Sequence, residues 1–250
     1  MKFTGKTAIV TGGARDIGRA ISVKLAEDGA NVAVNYFNNE KDAQETLNII
    51  KSKGGNAVAI KADMTKWDDC FRLVEETRQA FGEHIHILVN NAGGLVARKQ
   101  LCEMDEAFWD YVMTLNLKSV FMMHKAVIDH MPADSTIINM ASQAGRDGGG
   151  GGASAYATSK GAVMTFTRAM AKELGPKGIR VNALCPGMIN TTFHDTFTPD
   201  NVREVVAQKT PLRREGTAEE IASFVSCLAS SSASFITGAN IDINGGLAFS

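Results

Sequence analysis

Residues 7–18 read Thr-Ala-Ile-Val-Thr-Gly-Gly-Ala-Arg-Asp-Ile-Gly, an apolar run that leads through a glycine-rich turn into a helical pattern. Gly12 permits a tight turn, and Gly18 permits close packing of the helix against the strand. The helix that follows presents free N–H groups to an anion beside its first turn. This arrangement is typical of a pyrophosphate-binding loop for a dinucleotide, and an ordinary structural turn is the alternative.

The same order of strand and helix is repeated along the chain. Short runs rich in Val and Ile predict strands at Thr7–Thr11, Val32–Tyr36, Ala57–Ala62, Ile85–Asn90, Thr136–Ala141, Ile179–Leu184 and Asn240–Ile243. Helical periodicity predicts helices at Ile17–Asp28, Lys41–Lys53, Trp67–Phe81, Glu106–His130, Ala155–Leu174 and Ala218–Ala229. Such alternation is typical of a parallel sheet with helices on both faces, so we predict an α/β fold. The glycine run Gly148–Gly152 is interpreted as a loop inside one domain rather than a linker.

Composition and charge exclude several classes of protein. The chain has 250 residues, of which 44% are hydrophobic and 21% charged, with a formal net charge of −1. These values are those of a globular protein, and the absence of a basic cluster argues against a nucleic-acid partner. No run has the roughly 18 consecutive apolar residues of a membrane-spanning helix, and no signal-peptide pattern is evident. We therefore expect a cytoplasmic protein with no nucleic-acid or membrane partner.

The cysteines and histidines form no recognisable metal site. The four cysteines lie far apart and include no Cys-x-x-Cys pair, which predicts reduced, mostly buried thiols at Cys70, Cys102, Cys185 and Cys227. His84 and His86 are two residues apart without a third ligand in sight, so a loop and a strand end are favoured. We expect no metal.

Two further segments lie where predicted strands end. Asn90-Asn-Ala-Gly93 follows the fourth strand, and its small residues would let an adenosine ribose approach the main chain. Asp63 and Met64 end the third strand, where an acid could accept a hydrogen bond from the adenine amino group. A cap of the helix that begins near Trp67 is the alternative role for Asp63.

Three residues in the second half carry the chemistry. Ser142 ends the fifth strand, and Tyr156 and Lys160 form an i, i+4 pair on one face of a predicted helix. An ammonium beside a phenol stabilises the phenolate, so Lys160 is expected to lower the pKa of Tyr156. Such a tyrosine can exchange a proton with a carbonyl or alcohol oxygen.

Taken in order, these motifs resemble the short-chain dehydrogenase/reductase family over essentially the whole chain. The matching elements are Thr11-Gly12…Gly18, Asp63, Asn90–Gly93, Asn116, Ser142, Tyr156…Lys160, Pro186-Gly187…Thr191 and Asn244-Gly-Gly246. The resemblance implies a single doubly wound, Rossmann-type α/β domain over 1–250, with a seven-stranded parallel sheet and helices on both faces. Its nucleotide-binding half would span about 1–150, and its catalytic and substrate-binding half about 135–250. The implied activity is hydride transfer between NAD(P)(H) and a carbonyl or alcohol. A protein that only senses the nucleotide is the non-enzyme alternative, and it would not need a proton donor.

The resemblance also implies roles for individual residues. Tyr156 would be the general acid in reduction, Lys160 would hold the nicotinamide ribose, Ser142 would bind the substrate oxygen, and Asn116 would hold a relay water. Ile189 and Thr191 would reach the nicotinamide carboxamide. The full set of expected cofactor-binding residues is Gly12, Arg15, Asp16, Ile17, Gly18, Tyr36, Asn38, Asp63, Met64, Asn90, Ala92, Gly93, Tyr156, Lys160, Pro186, Gly187, Ile189 and Thr191.

Asp16 departs from the family pattern, which usually has a third glycine at this position. An acidic side chain beside a pyrophosphate is unfavourable unless it points away or caps the helix that starts at Ile17. We interpret Asp16 as a cap of that helix.

The end of the second strand bears on the choice of cofactor. NAD-specific members usually carry an acid there, and this chain has Tyr36. Arg15 could attract a 2′-phosphate, and Asn38 or Asn39 could donate to it. We therefore expect NADP(H) to be favoured, with NAD(H) also accepted; a solvated loop charge is the alternative role for Arg15.

The loops around the catalytic residues suggest a polar pocket for an anionic substrate. A carboxylate could meet a cation or the main-chain N–H groups of the glycine run. The tentative substrate residues are Arg98, Lys99, Gln143, Gly149 and His194. Arg98 and Lys99 could equally be surface charges.

Three stretches resemble a narrower group within the family. Asn90–Lys99, the glycine-rich catalytic loop and Thr191–His194 are similar to bacterial reductases of alginate metabolism, which convert the keto-uronate 4-deoxy-L-erythro-5-hexoseulose uronate to 2-keto-3-deoxy-gluconate. A 3-oxoacyl-[acyl-carrier-protein] reductase and a sugar dehydrogenase are the alternatives. The long helices and the C-terminal segment Ile236–Phe249 also suggest a homotetramer, as is usual in the family.

Overall fold

Seven parallel strands form one sheet in the computed structural model, which describes residues 2–249. The strands are β1 (Thr7–Val10), β2 (Asn31–Tyr36), β3 (Asn56–Lys61), β4 (Ile87–Asn90), β5 (Thr136–Met140), β6 (Arg180–Pro186) and β7 (Asn240–Ile243). Their order across the sheet is β3-β2-β1-β4-β5-β6-β7, and every neighbouring pair is parallel. The predicted fold class is therefore confirmed.

Helices cover both faces of this sheet. They are α1 (Asp16–Glu27), α2 (Glu40–Ser52), α3 (Trp67–Phe81), α4 (Glu106–Met113), α5 (Ser119–Val127), α6 (Ala144–Asp147), α7 (Ser154–Leu174), α8 (Thr192–Phe197), α9 (Asp200–Lys209) and α10 (Ala218–Ala229). Among residues 2–249, no helix is long and apolar enough to span a membrane.

The apolar strands bury side chains on both faces because successive residues point to opposite sides of a sheet. On one face, Val10 packs with Ile21 of α1 and Val225 of α10. On the other face, Ile9 packs with Leu73 of α3 and Met122 of α5. The continuous apolar runs in the sequence reflect this double burial.

The long helix predicted at Glu106–His130 is interrupted. Its middle, Thr114–Lys118, is a wider turn with i to i+5 hydrogen bonds, and its end, Ile128–His130, tightens into a 3₁₀ turn. Such wide turns are frequent at functional sites, and this one contains the buried Asn116. The prediction of one continuous helix was wrong because apolar periodicity does not register a single inserted residue.

Three shorter helices were absent from the prediction. These are α6, which follows β5, and α8 and α9, which lie between β6 and α10. The strand order reverses between β1 and β4, which is where open α/β sheets bind ligands. The glycine-rich loop, Asn90–Gly93 and the start of α8 all lie at this edge of the sheet.

The prediction that most of the four thiols are buried was wrong, because only two of them are. Cys70 and Cys185 lie in the core, whereas Cys102 and Cys227 are exposed, and all four are free. Burial raises the pKa of Cys70 to about 12 and that of Cys185 to about 11, so neither is a thiolate at neutral pH.

Candidate active site

The glycine-rich loop folds tightly against the segment after β4. Gly12 has a φ of +59°, and a Cβ at Gly18 would lie 2.0 Å from the carbonyl oxygen of Gly12. The amide of Asn91 donates to the carbonyls of Thr11 and Gly12 at 3.1 and 3.0 Å. Glycine is therefore required at position 18, and Asn91 holds the loop against the Asn-Asn-Ala-Gly turn.

Asn35 is a second support of this loop that the sequence analysis missed. Its Oδ1 accepts from the N–H of Gly12 at 3.0 Å, and its Nδ2 donates to the carbonyl of Ala62 at 3.0 Å. Asn35 is buried in β2, so both contacts are shielded from water. The amide of Asn35 inside the apolar run Val32–Tyr36 was the signal that could have revealed it.

Asn90 is committed to a buried polar network. Its Nδ2 donates to Oδ1 of Asn139 at 2.8 Å, and Asn139 donates to Thr167 at 3.0 Å. His124 lies beside Asn90, and burial lowers the pKa of its imidazole to about 4, so the ring is neutral. The side chain of Asn90 therefore supports the sheet, and it is the following Ala92–Gly93 main chain that lies open to a nucleotide.

Asn116 ties the wide helical turn to the Asn-Asn-Ala-Gly segment. Its Oδ1 accepts from the N–H of Gly94 at 2.9 Å, and its Nδ2 donates to the carbonyls of Gly94 and Val112 at 2.9 and 3.0 Å. A Cβ at Gly93 would lie 2.6 Å from Oδ1 of Asn116 and 3.3 Å from Nζ of Lys160. Gly93 therefore leaves the space in which Asn116 and Lys160 approach each other.

Tyr156, Ser142 and Lys160 come together at the start of α7, as predicted. The Ser142 and Tyr156 side chains share a hydrogen bond, and Nζ of Lys160 lies 5.8 Å from the centre of the Tyr156 ring. Burial raises the pKa of the Tyr156 phenol, and the bond to Ser142 opposes that rise. The expectation that Lys160 lowers the pKa of Tyr156 was wrong, because the desolvation of the phenolate prevails.

Lys160 is a buried cation held by the main chain. Its Nζ donates to the carbonyl of Met140 at 2.7 Å, and only 4% of the residue is exposed. Burial lowers its pKa from 10.5 to about 8, so the ammonium is largely charged at neutral pH. The charge therefore sits beside Tyr156 with little solvent to screen it.

Aromatic side chains of α8 form one wall of the site. The ring of Phe193 lies 6.1 Å from the ring of Tyr156 and 5.2 Å from that of Phe197, measured between centroids. His194 packs edge-on to Phe193, with the ring centroids 5.0 Å apart. Nδ1 of His194 lies 3.0 Å from the hydroxyl of Thr198, with which it shares a hydrogen bond, and burial lowers the pKa of the imidazole. The prediction of a polar pocket with small residues was wrong on this side, because no motif marked α8 as a wall.

The two predicted cations are partly occupied by contacts within the protein. Arg98 donates from Nε to the carbonyl of Phe197 and from Nη1 to that of Gly151, both at 2.9 Å. The ammonium of Lys99 lies 4.6 Å over the ring of Phe108. Arg98 therefore joins the loop after β4 to the glycine run and to α8. In the same run, Gly149 has a φ of +70° and donates its N–H to Asp147.

Gln143 carries a buried acceptor without a partner within residues 2–249. Its Nε2 donates to Asp147 at 3.0 Å, but Oε1 has no hydrogen bond, and a Cβ at Gly187 would lie 3.2 Å from that atom. A buried acceptor left unpaired is costly, and a ligand donor would relieve that cost.

The remaining predicted cofactor residues lie along the same edge. Pro186 ends β6, and the N–H of Gly187 donates to Ile243 at 2.9 Å. Ile189 is buried, and the hydroxyl of Thr191 donates to its carbonyl at 3.1 Å. These contacts fix the chain that leads into α8.

At the adenosine end, the predicted residues differ in exposure and in the contacts that they make. Tyr36 ends β2, Asn38 is exposed, and Asn39 caps α2 by accepting from the N–H of Asp42 at 3.2 Å. Asp63 uses Oδ1 to accept from Thr65, and Met64 is buried. The cap of α3 is Lys66, so the alternative role for Asp63 as that cap was wrong.

Asp16 does not cap α1. It is the first residue of that helix, with a φ of +50°, and its carboxylate accepts from the N–H and hydroxyl of Thr192 at 3.1 and 2.6 Å. The N-cap residue of α1 is Arg15, which makes no side-chain cap. The interpretation of Asp16 as a cap was wrong because its partner lies 176 residues away in the sequence.

The residues present fit a bound dinucleotide. Gly12 and Gly93 keep the crevice between β1 and β4 clear of side chains, and Oε1 of Gln143 is a buried acceptor without a hydrogen-bond partner among residues 2–249. Arg15 is two-thirds exposed beside the glycine-rich loop, at 66% of its side chain. Among residues 2–249, no group of three or more His, Cys, Asp or Glu side chains could hold a metal ion.

Comparison with known proteins agrees with this geometry. A family profile described as enoyl-(acyl carrier protein) reductase matches residues 12–248. A 3-oxoacyl-[acyl-carrier-protein] reductase of Staphylococcus epidermidis is 38% identical over 97% of this chain and 98% of its own length. Glucose 1-dehydrogenase 2 of Bacillus subtilis is 35% identical over 98% of this chain and 95% of its own length. A short-chain dehydrogenase from Burkholderia cenocepacia, solved in complex with NADP, is 31% identical with a TM-score of 0.92 and covers 99% of each chain.

The fold, the site and these relatives define the class of the protein: the chain belongs to the short-chain dehydrogenase/reductase family. It is an oxidoreductase that acts on carbonyl or alcohol groups and depends on NAD(P). The relatives reported are of the kinds that the sequence analysis gave as alternatives to a keto-uronate reductase.

Proposed function

We propose that this enzyme reduces the 3-oxo group of a small acyl thioester, with NADP(H) favoured and NAD(H) also accepted. The observation that carries the choice of substrate is the aromatic wall of Phe193 and Phe197 beside Tyr156. Apolar rings provide contact for an acyl chain, whereas a polyhydroxylated sugar acid would need more polar partners there. The identity of 38% with a 3-oxoacyl-[acyl-carrier-protein] reductase supports the same choice.

The residues of the chain would divide the work of reduction as follows. The bound nicotinamide supplies the hydride. Ser142 and Tyr156 donate hydrogen bonds to the substrate oxygen and so hold the carbonyl in place. Because burial raises the pKa of Tyr156, its phenol stays protonated at neutral pH and can transfer that proton as the oxygen becomes an alkoxide.

Lys160 and Asn116 would support that proton transfer. The Lys160 ammonium, fixed on the carbonyl of Met140, stabilises the phenolate that Tyr156 becomes after it gives up its proton. Asn116 holds the main chain of Gly94 against the wide turn between α4 and α5. We extend this to the family role, in which Asn116 holds a water that returns a proton to the pair.

The preference for NADP(H) is supported by the adenosine end of the crevice. No acid ends β2 to repel a 2′-phosphate, because the position is Tyr36. The exposed guanidinium of Arg15 lies at the glycine-rich loop, where a planar donor can grip a phosphate. Asn38, two residues after the end of β2, is exposed and would add a neutral donor.

Reduction of a keto-uronate is the second candidate, and Arg98 favours it. Nε and Nη1 of Arg98 are bound by carbonyls, which leaves the other N–H donors of the guanidinium for a substrate carboxylate. The main-chain N–H groups of the adjacent glycine run could share that carboxylate. The narrower sequence resemblance points the same way.

A panel of substrates decides between the two candidates. Acetoacetyl thioester, the keto-uronate and glucose with oxidised cofactor would be assayed by the change in reduced-nicotinamide absorbance, each with both cofactors. A kcat/KM for the thioester at least about tenfold above those for the other substrates supports the proposal. That ratio corresponds to a difference of about 1.4 kcal/mol in the binding of the transition state. A preference for the keto-uronate by that factor would overturn it.

A matched pair of variants tests the aromatic wall. Phe193→Ala should raise KM for the thioester by about tenfold or more, because burying a large side chain against a ligand contributes about 1.5–3 kcal/mol. Phe71→Ala removes the same ring from α3, where it packs on Trp67, and should leave KM unchanged. Equal effects of the two variants would show that Phe193 acts through stability alone.

A further inference from the structure

Asp16 connects the cofactor loop to α8. Its Oδ1 accepts from the N–H of Thr192 at 3.1 Å, and its Oδ2 accepts from the Thr192 hydroxyl at 2.6 Å. Arg15 completes the cluster: its Nη1 lies 3.4 Å from the same hydroxyl, and its Nε lies 3.8 Å from Oδ2 of Asp16. The crevice is thus bridged by side chains at the edge where the glycine-rich loop faces the start of α8.

Two arginines, Arg203 and Arg98, connect the rest of α8 to neighbouring segments. Arg203 pairs with Asp195 at 2.5 Å and with Glu215 at 2.7 Å, and Arg98 donates to the carbonyl of Phe197. These contacts join α8 to α9 and to the loop after β4. Among Asp16, Arg203 and Arg98, which all contact α8, Asp16 is the residue that belongs to the glycine-rich loop.

The backbone at Asp16 shows that its side chain is retained against a conformational cost. With a φ of +50°, position 16 is in the left-handed region, where glycine is unstrained and other residues are not. A strained residue persists where its surroundings hold it, and here they are the two hydrogen bonds to Thr192.

We propose that Asp16 is a positioning residue that clasps α8 to the cofactor loop and thereby sets the position of the substrate wall. Thr192 directly precedes Phe193, whose ring faces Tyr156. Movement of Thr192 would therefore move the ring that borders the reacting carbonyl. The part of this inference that concerns substrate rests on the proposed function, whereas the clasp itself does not.

Hydrogen exchange measured by mass spectrometry tests the clasp without any turnover. In Asp16→Gly, amides of residues 191–198 should exchange about tenfold faster than in the wild type, which corresponds to about 1.4 kcal/mol. Asp16→Asn keeps one acceptor and should give a smaller increase. Exchange in α10 should not change in either variant.

Asp134→Gly is the matched control. Asp134 also has a positive φ, +66°, but it lies in the turn before β5, so its replacement relieves the same strain without touching α8. Exchange in residues 191–198 should be unchanged in this variant. If Asp16→Gly does not fold, Thr192→Val removes the hydroxyl that donates to Asp16 and accepts from Arg15, keeps the N–H donor of Thr192, and should accelerate exchange about threefold.

The two readouts separate the clasp from the substrate assignment. Unchanged exchange in residues 191–198 of Asp16→Gly would overturn the clasp. Faster exchange with a raised KM for the thioester, measured at a saturating cofactor concentration, supports both parts. Faster exchange with an unchanged KM would keep the clasp and contradict α8 as the substrate wall.

Discussion

Lys160 is expected to destabilise the folded protein at neutral pH and to cease doing so in alkali. The residue is buried, and burial lowers its pKa from 10.5 to about 8. Between these two values the unfolded chain binds more protons than the folded one, so the free energy of unfolding rises with pH in that window. The cost of the buried ammonium is greatest below pH 8.

The magnitude follows from the two pKa values. One unit of pKa corresponds to about 1.36 kcal/mol. Lowering the pKa of Lys160 from 10.5 to about 8 therefore destabilises the folded state by about 3 kcal/mol at neutral pH. Between about pH 7 and about pH 10, about 2.5 kcal/mol of that cost is removed, because the folded-state lysine has lost its proton and the unfolded-state lysine has not.

Urea unfolding of the wild type and of Lys160→Met at several pH values measures this cost. Methionine keeps the length of the side chain and removes the charge, so the free energy of unfolding of the wild type relative to the variant should rise by about 2.5 kcal/mol over that range. Lys172→Met, at an exposed position of the same helix, should show no such trend. A difference between wild type and Lys160→Met that stays constant with pH would refute the reasoning.

Three further outcomes are expected. Arg15→Ala should weaken the binding of NADPH by about tenfold or more and leave the binding of NADH nearly unchanged, since a charge-assisted hydrogen bond contributes about 1.5–3 kcal/mol. Fluorescence titration measures both affinities, and equal losses would exclude Arg15 as the phosphate-binding residue. Gly93→Ala should fold but lose at least about tenfold in kcat, because its Cβ would lie 2.6 Å from Oδ1 of Asn116; wild-type kcat would show that the contact yields freely. Light scattering should give the mass of a homotetramer, which would cover the exposed aromatic residues Trp109, Tyr111 and Phe121 of α4 and α5, and a monomer mass would contradict this.

The parts of the fold that the sequence predicted are those with strong local patterns. Continuous apolar runs marked all seven strands to within about two residues, and the pattern was clearest for β1, β4 and β5, which are buried on both faces. The glycine-rich loop and the Tyr156–Lys160 pair were identified because their chemistry depends on short, fixed spacings. Ser142 follows β5 and lies beside Tyr156, as the resemblance to the family implied.

The parts that were missed depend on contacts between distant segments. No local pattern indicates that Asp16 binds Thr192, because the partner is defined by the folding of α8 across the crevice. The short helix α8 carries polar and aromatic residues without a clear periodicity, so its role as a wall was not visible. The raised pKa of Tyr156 likewise depends on burial, which spacing alone does not reveal.

The direct test of the account is the effect of Tyr156→Phe on turnover and on cofactor binding in the same preparation. Phenylalanine keeps the ring against Phe193 and removes the proton that the substrate oxygen must receive. We predict that kcat for the preferred carbonyl substrate falls by at least about 10²-fold, the scale of lost acid–base catalysis, while the affinity for NADPH stays within about twofold. Near-wild-type turnover in Tyr156→Phe would contradict the assignment of Tyr156 as the proton donor and, with it, the reaction proposed for this site.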